Sequence, residues 1–213
     1  MADTVAQLVE QVLSEGELDA AKSQALRWLT VRQRQMCRRS RWLRKTITLG
    51  AVTGGVGTYT VPAEVVEILE VRLGGVVYGH ARHVDPAEGA QGYVWLGGAG
   101  GIAGREDTSA GAQVLRLYPT PTASGAVLEI YAVCRPPDLA EGSDSTLVIP
   151  GEYCDALVAG AIATAYLRLE NRPDLASPHE TVFNDGCGEL TQQSNRRFRG
   201  TGPAQIRVAG INA

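Results

Sequence analysis

Apolar residues open the chain at helical spacing. Val5, Leu8, Val9, Val12 and Leu13 follow i, i+3, i+4, i+7, i+8, the pattern of a short amphipathic helix over 4–14. Ser14 with Glu17 three residues on fits a capping box, which predicts a helix restart there. A second helix is expected from about Leu18 to Arg39, with Leu18, Ala21, Ala25, Trp28, Leu29 and Met36 on its apolar stripe. From Leu43 the period drops to two, the mark of strands. Strands are expected over 46–52, 58–62, 65–73, 92–96, 114–118 and 127–133. Gly74-Gly75 between Leu73 and Val76 predicts a two-residue hairpin. Residues 80–91 are polar without a period. The glycine-rich run from Gly97 to Gly111 reads as a loop.

Helical pattern returns after Pro150. A long helix is expected from Gly151 to Asn171, rich in small residues: Ala156, Ala159, Gly160, Ala161, Ala163 and Ala165. Small side chains let helices approach closely, so this is read as the central helix of a packed group. Arg172-Pro173 is read as its stop. Ser177-Pro178-His179-Glu180 carries an N-cap, Pro at N1 and Glu at N3, and predicts a last helix starting there. Val182, Phe183, Cys187 and Leu190 are its expected buried stripe. Beyond Phe198 no period survives, and an extended tail that orders on a partner is expected.

Helices, then strands, then helices predict an α+β fold. The helices of 1–42 and 139–199 would form a bundle. An antiparallel β-sheet or sandwich, 43–138, would be inserted between them, and 200–213 would be the extended C-terminal tail. With 213 residues and 44% hydrophobic composition, a core can form without metals or disulfides. Cys37, Cys134, Cys154 and Cys187 form no C-x-x-C pair and are read as buried free thiols, which favours a reducing compartment. The N-terminus has neither a basic nor an apolar signal region. The apolar run 156–167 is too short to cross a bilayer, so no membrane role is expected.

Candidate chemistry is weak throughout. Gly97–Gly104 is followed by Arg105-Glu-Asp, whereas a phosphate loop requires Lys and Ser/Thr and then a helix. His80, His83 and Asp85 lack further ligands nearby in sequence, and zinc usually takes three or four. No G-x-S-x-G elbow occurs, and no cysteine has an evident His partner. Asp138, Glu141 and Asp144 lack ligand periodicity. No catalytic residue, metal or cofactor is expected, and the chain is not read as an enzyme.

Charge is more telling. The net charge of −3 conceals two basic flanks. Residues 27–45 hold Arg27, Arg32, Arg34, Arg38, Arg39, Arg41, Arg44 and Lys45 with no acid among them. Arg196, Arg197, Arg199 and Arg207 form the second cluster. Between Thr46 and Asn195 stand 18 acidic and 7 basic residues. Such separation speaks to partners and solubility rather than fold. Arg34, Arg38, Arg39, Arg41 and Arg44 are therefore a candidate basic interface. They could meet an acidic protein surface or phosphates, or they could be a solvated face. No recognition element accompanies them.

The order of motifs resembles the head-to-tail adaptor (connector) proteins of tailed bacteriophages. The matching features are Trp28-Leu29 with the arginine-rich run to Trp42-Leu43, then Tyr59-Thr-Val-Pro62 and Glu67-Ile-Leu-Glu-Val71. Leu115-Arg-Leu-Tyr-Pro-Thr-Pro121, Leu128-Glu-Ile-Tyr131 and Leu147-Val-Ile-Pro-Gly-Glu-Tyr153 follow, with two helices after them. The resemblance covers about Leu18 to Phe198. Arg41-Trp42 departs from the acidic-aromatic pair common at the end of the family's second helix.

The resemblance implies a structural virion protein of the neck, assembled in the host cytoplasm. Copies would form a homo-oligomeric ring, usually of twelve, beneath the portal protein, with Ala156, Ala159, Gly160 and Ala163 on the candidate ring-packing helix. The ring would extend the channel for double-stranded DNA without reading its sequence and would dock the next neck or tail protein. By position, Arg196, Arg197, Phe198, Arg199, Ile206, Arg207 and Val208 would contact the portal or a neighbouring subunit. Rival readings are a stopper or tail-completion protein, a DNA-binding protein using the 27–45 arginines, and a carbohydrate-binding β-domain using Tyr93 and Trp95.

Overall fold

A computed structural model describes residues 4–80, 92–96, 113–140 and 147–198. The chain is mixed helix and sheet, as the α+β expectation has it, and divides into two compact units. One comprises Met1–Trp42 with Leu139–Ala213, the other Leu43–Asp138. The expected tail, the loop 97–111 and the histidine pair with Asp85 lie outside the described residues, except that His80 ends a strand.

In the helical unit, α1 (Val5–Glu15) begins at a capping box. The Gln7 amide donates to the Thr4 hydroxyl, and the Thr4 amide donates to the Gln7 side chain. Thr4-Val-Ala-Gln7 is the motif that forms it. The box expected at Ser14 does not form, because α1 runs on through Ser14, whose hydroxyl donates to the Gln11 carbonyl. The next helix, α2 (Lys22–Ser40), starts four residues later than expected, with Ala21 as an N-cap that makes no side-chain bond. It ends at Arg41 in the left-handed region, φ 51°.

A 3-10 turn (Gly151–Tyr153), α3 (Cys154–Ala165) and a π-turn (Tyr166–Glu170) follow one another without a break, and Asn171 closes them at φ 52°. The helix expected to start at Ser177 starts instead at Pro173: α4 is Pro173–Arg197 and contains Pro178. Both prolines could occupy a first turn, where the missing N–H costs nothing. The earlier one does so, and the Ala176 amide closes the turn on the Arg172 carbonyl. The Arg172 guanidinium holds the exposed Asp174 carboxylate by two hydrogen bonds of 3.1 and 3.0 Å. Helix α4 buries Phe183, Cys187 and Leu190, but Val182 is 50% exposed and does not belong to the stripe.

All four helices contribute to one core, which includes Leu8, Val12, Leu29, Met36, Leu157, Ile162, Phe183 and Leu190. Helix α3 is buried on nearly every face. The returning chain is fastened to α2, where the Leu139 amide donates to the Thr30 hydroxyl.

The strand unit is a seven-stranded sheet ordered β1-β7-β3-β4-β5-β6-β2. The strands are β1 (Arg44–Ala51), β2 (Thr58–Val61), β3 (Val65–Leu73), β4 (Val76–His80), β5 (Gly92–Leu96), β6 (Gln113–Tyr118) and β7 (Val127–Cys134). Every pair is antiparallel except β4–β5. A parallel pair needs a connection of a dozen residues or so, which segment 81–91 supplies. Gly74 and Gly75 turn the β3–β4 hairpin at φ 55° and 84°, with Leu73 opposite Val76. All seven strands or their ends feed a single core containing Val52, Val61, Val71, Tyr78, Tyr93, Leu115 and Ile130. Burial pushes the Tyr93 hydroxyl up to about 12, aided by Glu67 and Glu70.

Candidate functional site

The helical unit brings the two basic flanks of the sequence together. Helix α2 closes where the Trp42 amide reaches the Cys37 carbonyl and the Arg41 amide the Arg38 carbonyl. This is a C-terminal closure with Arg41 in the place glycine usually takes. The Arg41 carbonyl left by that closure accepts from the hydroxyl of Ser194, a buried residue in the last turns of α4. The two helix C-termini are thereby joined. Trp42 donates its indole N–H to the Val148 carbonyl at 2.9 Å. The Arg197 guanidinium lies 4.9 Å from the Trp42 ring and 5.4 Å from Phe198. Cations are favoured at helix C-termini and over indole faces. Arg38, Arg41, Arg196 and Arg197 thus share one aromatic-backed basic end, although roughly 155 residues separate the two clusters in sequence.

The arginines of 27–45 do not act as one surface. Arg32 is buried. Its Nε donates to Thr164 Oγ1 at 2.7 Å, it bonds Glu180 Oε1 at 3.0 Å, and its ion pair with Oε2 is 2.7 Å long. The Phe183 ring lies 4.8 Å from the same guanidinium. Arg39 turns onto α4 and donates to Asn184 Oδ1 at 2.6 Å. Arg27 and Arg38 point outward, and among the described residues their side chains have no partner. Arg34 is half-buried on α2, while Arg44 and Lys45 belong to the strand unit. The spread follows from helix geometry, since Arg27, Arg34 and Arg38 share one stripe of the helix while Arg32 and Arg39 project well to one side of it.

Two small residues of α3 let it close on α4 within the chain. A side chain on Gly160 would meet the Phe183 ring at 2.5 Å, and one on Gly186 would meet the Ala156 Cβ at 2.4 Å. Ala156, Ala159 and Ala163 are 8%, 7% and 0% exposed. Of the four residues expected to form a ring-packing face, Ala156 and Gly160 meet α4 of the same chain, and Ala159 and Ala163 are buried. Small residues signal close approach but do not say which neighbour approaches.

Arg196, Arg197 and Phe198 end α4, whereas Arg199, Ile206, Arg207 and Val208 lie outside the described residues. Trp42 was not expected at this surface, though a tryptophan beside a basic helix end was the available signal. The four cysteines are free and buried. Burial, with Cys187 nearby, pushes the Cys37 thiol up to about 12. Among the described residues no group of three or more His, Cys, Asp or Glu could hold a metal ion. No described helix is long and apolar enough to cross a membrane. The cleft between α1 and α2, lined by Val5, Val9, Lys22 and Leu26, holds about 30 Å³, far below the ~300–1,000 Å³ of small-molecule sites.

A family model described as SU10 adaptor protein matches residues 3–207, and the chain belongs to that family of phage head-to-tail adaptors. No curated protein matches the chain. Adaptors of this family are structural components of the phage virion.

Proposed function

We propose that the protein is a head-to-tail adaptor that assembles as a ring, of twelve copies as is usual in the resembling family, beneath the phage portal protein. In this reading the ring extends the channel for double-stranded DNA, which passes without sequence recognition, and it docks the next neck or tail component. Family membership across 3–207 supports the class. The observation that carries the docking side is the meeting of Arg41, Trp42, Arg196 and Arg197 at one end of the helical unit. Guanidinium groups backed by aromatic rings suit an acidic, partly apolar protein surface. Continuing from that end, Arg199, Ile206, Arg207 and Val208 are proposed to extend the same contact onto the portal.

Co-sedimentation with purified portal tests the reading, with a negative-stain image of the pellet. A ring coaxial with the portal is expected for the unaltered protein, with binding lost in R196E/R197E and weakened by salt. Absence of binding by the unaltered protein at low salt would sink it. A gel shift with duplex DNA separates the DNA-binding alternative. Phosphate contacts would give strong, sequence-independent, salt-sensitive retardation, and little retardation is expected.

A further inference from the structure

Two exposed helix faces in the helical unit carry matching patterns. On α2, Val31 (42% exposed) lies on one stripe with the exposed Arg27 and Arg38 and the half-buried Arg34. On α4, Val182 (50% exposed) lies on a stripe with Asp185 and Glu189. The spacing is the same on both helices: an exposed valine, then a charged residue three and seven positions on, basic on α2 and acidic on α4. Seven residues are about 10.5 Å of helix. Val31 laid on Val182 with the helices parallel therefore sets Arg34 over Asp185 and Arg38 over Glu189. Laid antiparallel, Arg38 would fall opposite the exposed Leu175.

We infer that the α2 stripe of one copy docks on the α4 stripe of a second copy of this chain, and that this contact repeats around the ring; the inference rests on the adaptor reading. Charge complementarity around an apolar pair argues for this occupant. The two stripes differ, so the contact is heterologous, and such a contact makes a ring or a filament according to its axial offset. That offset can be read from the fold. Within one chain α2 and α4 run parallel, joined by Arg32–Glu180, Arg39–Asn184 and Arg41–Ser194, whose sequence separations are 148, 145 and 153. The proposed pairs Val31–Val182 and Arg38–Glu189 are both separated by 151. The neighbour's α4 therefore sits at the level where the chain's own α4 already lies. Rotation about an axis running along the helices satisfies that with little axial step, which is what a contact that closes into a ring requires.

The test is oxidative cross-linking of V31C with V182C in the full-length protein, alongside sedimentation of the unaltered chain. The four native cysteines are buried. A mixture of V31C and V182C chains is expected to give at least ~10-fold more disulfide dimer than V56C with V182C, because docking raises the effective concentration of the two thiols. Val56 is an exposed control in the strand unit. The double variant V31C/V182C should give a ladder of higher oligomers. R38E and E189R should each reduce cross-linking, and together restore it. A yield no greater than the control overturns the proposed contact. If the unaltered chain still sediments as a ring, only this interface fails; if it shows no ring alone or on the portal, the adaptor reading fails with it.

Discussion

Gly160 faces the ring of Phe183 so closely that a methyl group there would stand 2.5 Å from Cδ2. The same helix pair meets again where Gly186 faces Ala156, with 2.4 Å between a would-be side chain and the Ala156 Cβ. The two contacts differ in how they can yield. The Phe183 ring can tilt, although it lies against the Arg32 and Arg39 guanidiniums. The Ala156 Cβ moves only with the α3 backbone. Overpacking of this kind costs about 1–3 kcal/mol, against about 1 kcal/mol gained from helix propensity. Gly186→Ala is expected to lower the urea midpoint more than Gly160→Ala. A compensating Ala156→Gly should recover part of the Gly186→Ala loss, and equal losses with no recovery would contradict this packing.

Arg32 is the one arginine of its run that the core encloses. Removing one partner of a buried ion pair costs about 3–5 kcal/mol. The Glu180 side chain is 33% exposed, so water relieves part of that loss and the lower end applies. Arg32→Ala is therefore expected to cost about 3 kcal/mol in equilibrium unfolding. Glu180→Gln should cost less, because the amide still accepts a hydrogen bond. Arg27→Ala, on the outward face, should change stability by less than ~0.5 kcal/mol.

Alkaline pH should destabilise the fold through Cys37. Its folded-state value, about 12 because of burial and then Cys187, is raised above the ordinary thiol value of 9.0. The folded state therefore holds a proton that the unfolded chain gives up. The stabilisation is complete below about pH 9 and is lost as pH rises towards 12. Tyr93, also raised to about 12, adds in the same direction from pH 10 upward. The unfolding free energy is expected to fall across that window. The fall should be shallower in Cys37→Ala, and an identical slope in the variant would rule out the Cys37 contribution.

The β3–β4 hairpin gives a backbone prediction. Gly74 and Gly75 both hold positive φ, where an L-residue costs about 1–2 kcal/mol. Asn tolerates that region better than a β-branched residue. Gly75→Val should therefore lower the thermal midpoint clearly more than Gly75→Asn, with the strand unit's core unchanged by NMR.

Local patterns were legible where one physical cause dominates. Gly74-Gly75 announced its hairpin because positive φ favours glycine. The alternation in 46–52 announced β1 because side chains alternate across a sheet. Where two signals competed, sequence was a poor judge. Ser14 and Ser177 both looked like helix caps, yet α1 runs through one and α4 through the other. The caps that form depend on where the whole helix packs. Val182 looked buried by spacing, but the α4 face that meets the core is set by Phe183, Cys187 and Leu190.

By itself the sequence determined the order of helices, strands and helices, the free buried thiols and the two basic flanks. These follow from periodicity and composition, which are properties of neighbours along the chain. The tertiary structure alone decided that Arg41 and Arg197 share one helix end, that Arg32 is enclosed, and that Ala156 and Gly160 of α3 close on α4 within the chain. Each of those outcomes depends on which distant residue completes a contact. Pairing across some 150 residues is chosen by packing of the whole core, and no local pattern encodes it.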